Sequence, residues 1–84
     1  MRLNSRLYAL LRLKFRYWIG YIEGSKLLKK YIENVILPSN SIDELNKNFE
    51  KLLQELDSSR IQEALREIHK LLVRELEKSK NRSK

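Results

Sequence analysis

The sequence predicts an all-α protein, a compact bundle of three to four helices. Only two glycines and one proline interrupt its 84 residues, so there are few positions for the tight turns that join β-strands. Leu, Ile, Lys, Glu and Arg dominate the remainder, and apolar residues recur every three to four positions, as in amphipathic helices. A chain this short makes one core. We therefore expect a single helical domain over residues 1–79 and a flexible basic tail over residues 80–84.

The first helix is predicted over residues 5–23. Ser5 can cap its first turn, and Gly24 can end it by taking a left-handed conformation. One side of this helix carries arginines separated by small residues, and the other side is apolar. At 100° per residue the apolar side comprises Leu3, Leu7, Leu10, Leu11, Phe15, Trp18, Tyr21 and Ile22. We expect Phe15, Trp18 and Ile22 to belong to the core.

The second helix is predicted over residues 26–36. Gly24-Ser25 combines a stop residue with a start residue, and Leu37-Pro38 ends the helix because the residue before proline avoids the helical region. Gly20 and Gly24 also have the four-residue spacing that lets helices approach closely. A break or kink at Gly24 is the preferred interpretation, and one long bent helix is the alternative.

The third and fourth helices are predicted over residues 42–57 and 60–79, joined as an antiparallel αα-hairpin. Pro38-Ser39-Asn40 forms the loop before them. Ser41 and Glu44 form a capping box, in which each side chain satisfies a backbone donor of the other residue. Ser59 and Gln62 repeat that pattern after the turn at residues 57–59. The hairpin is predicted because both helices have start signals and regular apolar stripes.

The residue types exclude most enzymatic chemistry. Cysteine is absent, and His69 is the single histidine, without the i, i+4 ligand partner that a metal site on a helix needs. There is no glycine-rich phosphate loop and no nucleophile–base set. We therefore expect no catalysis, no metal or other cofactor and no small-molecule substrate. No stretch is apolar enough for a membrane span or a signal peptide. The absence of cysteine makes a cytoplasmic or nucleoid-like compartment the expected location.

The positive charge is concentrated at the N-terminus. Residues 1–32 contain eight Lys or Arg side chains against one acid, Glu23, whereas residues 33–79 contain seven basic and ten acidic side chains. Six of the seven aromatic residues lie in residues 1–32 as well. Arginine can hold a phosphate through two hydrogen bonds and stack on a base, so this combination indicates a polyanion partner, most simply nucleic acid.

The predicted site follows from that pattern. The nucleic-acid-binding residues are predicted to be Arg2, Arg6, Arg12, Arg16, Tyr17, Lys26, Lys29 and Lys30. Lys14, on the apolar side of the first helix, and Tyr21 are predicted to border an interface with a protein partner. The leading hypothesis is a basic accessory or architectural protein within a larger nucleoprotein complex, and DNA and RNA fit the pattern equally well.

Four alternatives stay open at this point. The aromatic first helix could dock on a larger protein, with its charge serving to steer the encounter. The arginines could form a solvated face that pairs with the acids of the third and fourth helices. A basic amphipathic helix could lie on an anionic membrane, although the first helix is needed to close a small core. A helix-turn-helix regulator is disfavoured, since the long fourth helix carries balanced charge.

Overall fold

The computed structural model describes the backbone of residues 1–82 and the side chains of residues 1–78. It confirms the all-α bundle with a helical hairpin at its end. The helices are α1 (Ser5–Trp18), α2 (Tyr21–Tyr31), a π-helical segment (Ile32–Ile36), α3 (Ile42–Gln54) and α4 (Ser59–Arg82). Within residues 1–82, no helix combines the length and the apolarity needed to cross a bilayer.

Asn4, and not Ser5, caps α1. The backbone of Asn4 is extended, and its side chain accepts a hydrogen bond of 2.8 Å from the Leu7 amide. Ser5 is therefore the first helical residue. Either side chain can satisfy a first-turn amide, so the local sequence did not separate them.

The break between the first two helices lies at Gly20, so the prediction of a break at Gly24 is wrong. Gly20 has a φ of 138°, a conformation that side chains with a Cβ rarely adopt, and it precedes the first residue of α2. The Ile19 and Gly20 amides both donate to the Phe15 carbonyl and close the last turn of α1. Gly24 lies buried inside α2, where it serves a close approach between helices.

Ile22 is the clearest error in the predicted core, because it is 67% exposed. The prediction assumed one continuous helical register from Leu3 to Ile22. The break at Gly20 turns the chain, so Tyr21 and Ile22 lie outside while Ile19 and Leu27 are buried. Phe15 is fully buried as expected.

The predicted second helix reaches Ile36, but its last five residues form a π-helical segment. The Leu37 amide donates to the Ile32 carbonyl across five residues, with a distance of 2.9 Å. The wider turn buries the adjacent Val35 and Ile36 completely. Ser39 then enters the core, where its hydroxyl donates to the Val35 carbonyl and accepts from the Asn48 side chain.

The caps of the hairpin differ in detail from the predicted pair of capping boxes. Ser41 accepts from the Glu44 amide as expected, but the Glu44 carboxylate accepts from the Asn40 amide instead of the Ser41 amide. The Ser58 hydroxyl, rather than that of Ser59, accepts a hydrogen bond from the Ile61 amide in the first turn of α4. The Gln62 side chain donates to the Leu53 and Leu56 carbonyls and so satisfies the end of α3.

The hairpin helices also have different limits from those predicted. α3 ends at Gln54, three residues before the predicted residue 57, and α4 begins at Ser59. The predicted tail, residues 80–84, overlaps the end of α4, and residues 83–84 lie outside the described part of the chain.

Tyr31 lies at the centre of the core and contacts a residue from each of the other three α-helices. Its ring centroid is 5.5 Å from that of Phe15, 6.2 Å from that of Phe49 and 5.9 Å from that of His69. The Tyr31 hydroxyl lies 2.6 Å from His69 Nδ1, and His69 Nε2 lies 2.7 Å from Asn46 Oδ1. Since an amide oxygen only accepts, Nε2 carries the proton and Tyr31 donates to Nδ1.

Candidate functional site

The close packing of α2 against α1 places the basic side chains of the two helices beside each other. A Cβ added to Gly24 would lie 2.8 Å from the carbonyl carbon of Phe15, so α2 crosses directly over the last turn of α1. Only a residue without a side chain permits this distance. Side chains on both sides of this crossing form a concave surface between the two helices.

We call this surface the α1–α2 cleft, and it has a volume of about 530 Å³. The cleft brings together three of the predicted phosphate-binding residues: Arg12 and Arg16 from α1, and Lys29 from α2. Arg12 and Arg16 are four residues apart, which places them one above the other on the same helix face, about 6 Å apart along the axis. The cleft is lined by Tyr8, Arg12, Arg16, Ser25, Leu28, Lys29, Ile32, Glu33 and Leu37.

A second hollow, which we call the N-terminal hollow, continues the cleft towards Arg2. It shares Tyr8 with the cleft, together with Ile32 and Leu37, and has a volume of about 450 Å³. Its lining residues are Arg2, Leu3, Asn4, Ser5, Tyr8, Ile32 and Leu37. Four basic side chains therefore line the surface formed by these two adjoining hollows, and Tyr8 lines both of them.

The basic residues of this surface are not neutralised by ion pairs within residues 1–78. Both ion pairs in that part of the chain are on α4, where Lys70 contacts Glu67 at 3.1 Å and Lys78 contacts Glu75 at 3.7 Å. The arginines of α1 do not pair with the acids of α3 and α4 there, contrary to the alternative of a paired, solvated face. Glu33 is the one acidic side chain that lines the cleft, so the local charge stays positive.

Arg16 is held in place more firmly than the other cations. It is half-buried, and its guanidinium carbon lies 4.6 Å from the ring centroid of Tyr21. Its Nε–H is buried and has no hydrogen-bond acceptor among the described residues, so this donor is unsatisfied. The stacked ring restricts the side chain, so less conformational entropy is lost when its outer nitrogens bind an anion.

The remaining predicted binding residues lie elsewhere on the basic half of the molecule. Lys26 and Lys30 line a separate hollow of about 210 Å³ next to Glu23, on the side of α2 that faces Leu56 and Ile61. Arg6 and Tyr17 are exposed on α1 but line neither the cleft nor the N-terminal hollow.

The two residues predicted to border a protein interface both take part in cation–π contacts. Lys14 is half-buried, and its Nζ lies 5.8 Å from the ring centroid of Trp18, which packs at the edge of the core. Tyr21 is 70% exposed beneath Arg16. The contact with Trp18 explains how Lys14 is tolerated on the apolar side of α1.

Sequence reasoning missed Tyr8 and Leu13. Tyr8 is 43% exposed and links the two hollows; its position one turn before Arg12 and two turns before Arg16 was the available signal. Leu13 is 65% exposed on the outer side of α1. It falls outside the apolar arc, so periodicity alone indicated exposure.

His69, the one histidine, serves the core. Burial lowers the pKa of His69 to about 4, and burial also raises the pKa of Tyr31 above its ordinary value. The ring is therefore neutral near pH 7 and is stacked on Phe49 at 3.8 Å. Within the described residues, no cluster of three or more His, Asp or Glu side chains is arranged to hold a metal ion.

Comparisons with models of protein families, with curated proteins and with solved structures find no match for this chain.

Proposed function

We propose that this chain is a non-enzymatic nucleic-acid-binding protein, an accessory or architectural component of a larger nucleoprotein complex. The observation that carries the proposal is the position of Arg2, Arg12, Arg16 and Lys29 on two adjoining hollows, without ion-pair partners in the described residues. Arg6, Lys26 and Lys30 extend the positive field around that surface.

The composition of this surface suits a phosphate backbone. Three of its four cations are arginines, whose planar guanidinium groups match phosphate oxygens in pairs. They are spaced along a helix, so several phosphates of one backbone can be contacted in succession. The Tyr8 ring lies among them, where a base or a sugar attached to those phosphates can pack.

The experiment is a salt titration of binding to a fluorescently labelled oligonucleotide, read by anisotropy. The double variant Arg12→Ala/Arg16→Ala should lower the log-log salt slope by about 1.5 units, because each lost phosphate contact removes about 0.7 to 0.9 units. Arg66→Ala is the matched control, since Arg66 is an exposed arginine on α4 that lines neither hollow. Absence of binding at low salt, or equal slopes for the double variant and the control, would refute the proposal.

A second candidate function is docking on a larger protein, and a specific observation favours it. Leu13 and Ile22 are 65% and 67% exposed on the basic half of the molecule, where apolar side chains have no evident structural role. A suitable partner would offer an apolar groove with an acidic rim. Co-purification from the native cell with and without nuclease separates the two functions: nuclease-sensitive recovery favours nucleic acid, and nuclease-resistant recovery of a defined protein favours docking.

A further inference from the structure

We infer that the nucleic acid bound by this chain is single-stranded, with unpaired bases stacked on Tyr8 and Tyr21. This inference rests on the proposed function and adds the class of ligand. Its experiment separates the failure of the inference from the failure of nucleic-acid binding itself.

Two aromatic rings beside the cations are exposed to solvent. Tyr21 is 70% exposed and Tyr8 is 43% exposed, although a small protein gains stability by burying aromatic side chains. Tyr8 lies on α1 and Tyr21 begins α2, the two helices that carry the cations. A base presents an apolar face that such a ring can cover, and stacking of this kind is tolerant of sequence.

The two rings lie beside the arginines. Tyr8 lines both the cleft that contains Arg12 and Arg16 and the hollow that contains Arg2. Tyr21 lies under the Arg16 guanidinium, at 4.6 Å from ring centroid to guanidinium carbon. A strand whose phosphates follow the arginines therefore brings its bases to the adjacent rings. Alternating cations and aromatic rings are the usual composition of a single-strand binding surface.

The shape of the basic surface fits a duplex poorly. Recognition of duplex DNA commonly inserts a convex helix with polar side chains into the major groove. Here Arg12, Arg16 and Lys29 line a concave cleft instead of a convex helix face. The outward side of α1 presents the side chain of Leu13 and the ring of Tyr17, whose carbon atoms cannot hydrogen-bond to base edges. Bases stacked inside a duplex are also inaccessible to exposed rings.

The experiment compares three labelled ligands of equal length, about 16 nucleotides: oligothymidylate, the same strand in a duplex with oligoadenylate, and an abasic strand with the same phosphates. Affinity and salt slope are measured for the native chain, for Tyr8→Leu and for Tyr21→Leu. Tyr17→Leu is the matched control, because Tyr17 is an exposed tyrosine of α1 that lines neither the cleft nor the N-terminal hollow. Thermal unfolding of each variant checks that the fold is intact.

We expect oligothymidylate to bind more tightly than the duplex and the abasic strand. Tyr8→Leu and Tyr21→Leu should each bind oligothymidylate about tenfold more weakly, with an unchanged salt slope and unchanged binding of the abasic strand. Tyr17→Leu should match the native chain. Equal or tighter binding of the duplex, or insensitivity to both Tyr8→Leu and Tyr21→Leu, would overturn the inference and leave the proposed function standing. Failure to bind all three ligands at low salt would overturn both.

Discussion

Acid should destabilise this protein through one residue, His69. The ring is 6% exposed, and burial lowers its pKa from 6.5 to about 4. Protonation would also place a second N–H donor at Nδ1, which now accepts from the Tyr31 hydroxyl. The unfolded chain therefore takes up the proton first. The contribution of neutral His69 to the free energy of unfolding is complete above pH 6.5 and is lost as the pH falls from 6.5 towards 4.

The size of the effect follows from the same pKa values. One pKa unit corresponds to about 1.4 kcal/mol, so the free energy of unfolding should fall by about 2 kcal/mol between pH 7.5 and pH 5, and by about 3 kcal/mol at pH 4. Small domains have total stabilities near the lower end of about 5–15 kcal/mol, so this loss is a large fraction.

The assay is direct because the chain has a single histidine. Its ring protons give one set of NMR signals, and their titration reports the pKa of His69 in the folded protein. Urea unfolding at pH 7.5 and pH 5 measures the stability change, with His69→Gln as the variant that cannot titrate. A folded-state pKa near 6.5, or an equal pH dependence for His69→Gln and the native chain, would refute the reasoning.

Three further changes test the packing, each by urea unfolding at pH 7.5. Gly24→Ala should destabilise by about 2 kcal/mol although alanine favours helices, because the added Cβ meets the Phe15 backbone; a stabilised variant would contradict the close approach. Ser39→Ala should lose about 1–3 kcal/mol, since the buried hydroxyl bonds the Val35 carbonyl and the Asn48 side chain. Ile22→Ser should change the stability by less than about 0.5 kcal/mol, and a loss above about 2 kcal/mol would show that Ile22 is buried.

The hairpin of α3 and α4 was predictable because its signals are local. The cap at Ser41 and the apolar positions Leu45, Phe49 and Leu52 act within one helix, and the structure has them as expected. The hydrogen-bond partners of the capping side chains were less predictable. The Gln62 side chain reaches back to the end of α3, a contact that depends on the geometry of the whole turn.

The break between α1 and α2 could not be placed from local signals. Gly20 and Gly24 can both end a helix, and the Ser25 that follows Gly24 favoured the wrong one. The deciding factor is tertiary: Gly24 is needed inside α2, where the Phe15 backbone leaves no room for a Cβ. Because the break was predicted at Gly24, Ile22 was assigned to the core, whereas the structure has it exposed.

The candidate site was predictable only in part. Helical periodicity grouped Arg12 with Arg16 because both lie on α1. Which lysines join them depends on the angle at which α2 crosses α1, and the structure brings Lys29 to the cleft while Lys26 and Lys30 line another hollow.

The central position of Tyr31 makes the basic helices and the hairpin energetically dependent on each other. Its ring touches Phe15 on α1, Phe49 on α3 and His69 on α4, so neither half retains its core without the other, and the chain should unfold in one cooperative step. A ligand that binds only the folded basic helices must then protect the hairpin as well. At a free concentration of one hundred times Kd it adds about 2.7 kcal/mol to the stability of the whole molecule. Thermal melting therefore offers a search for the natural ligand that requires no label and no prior assumption about its identity.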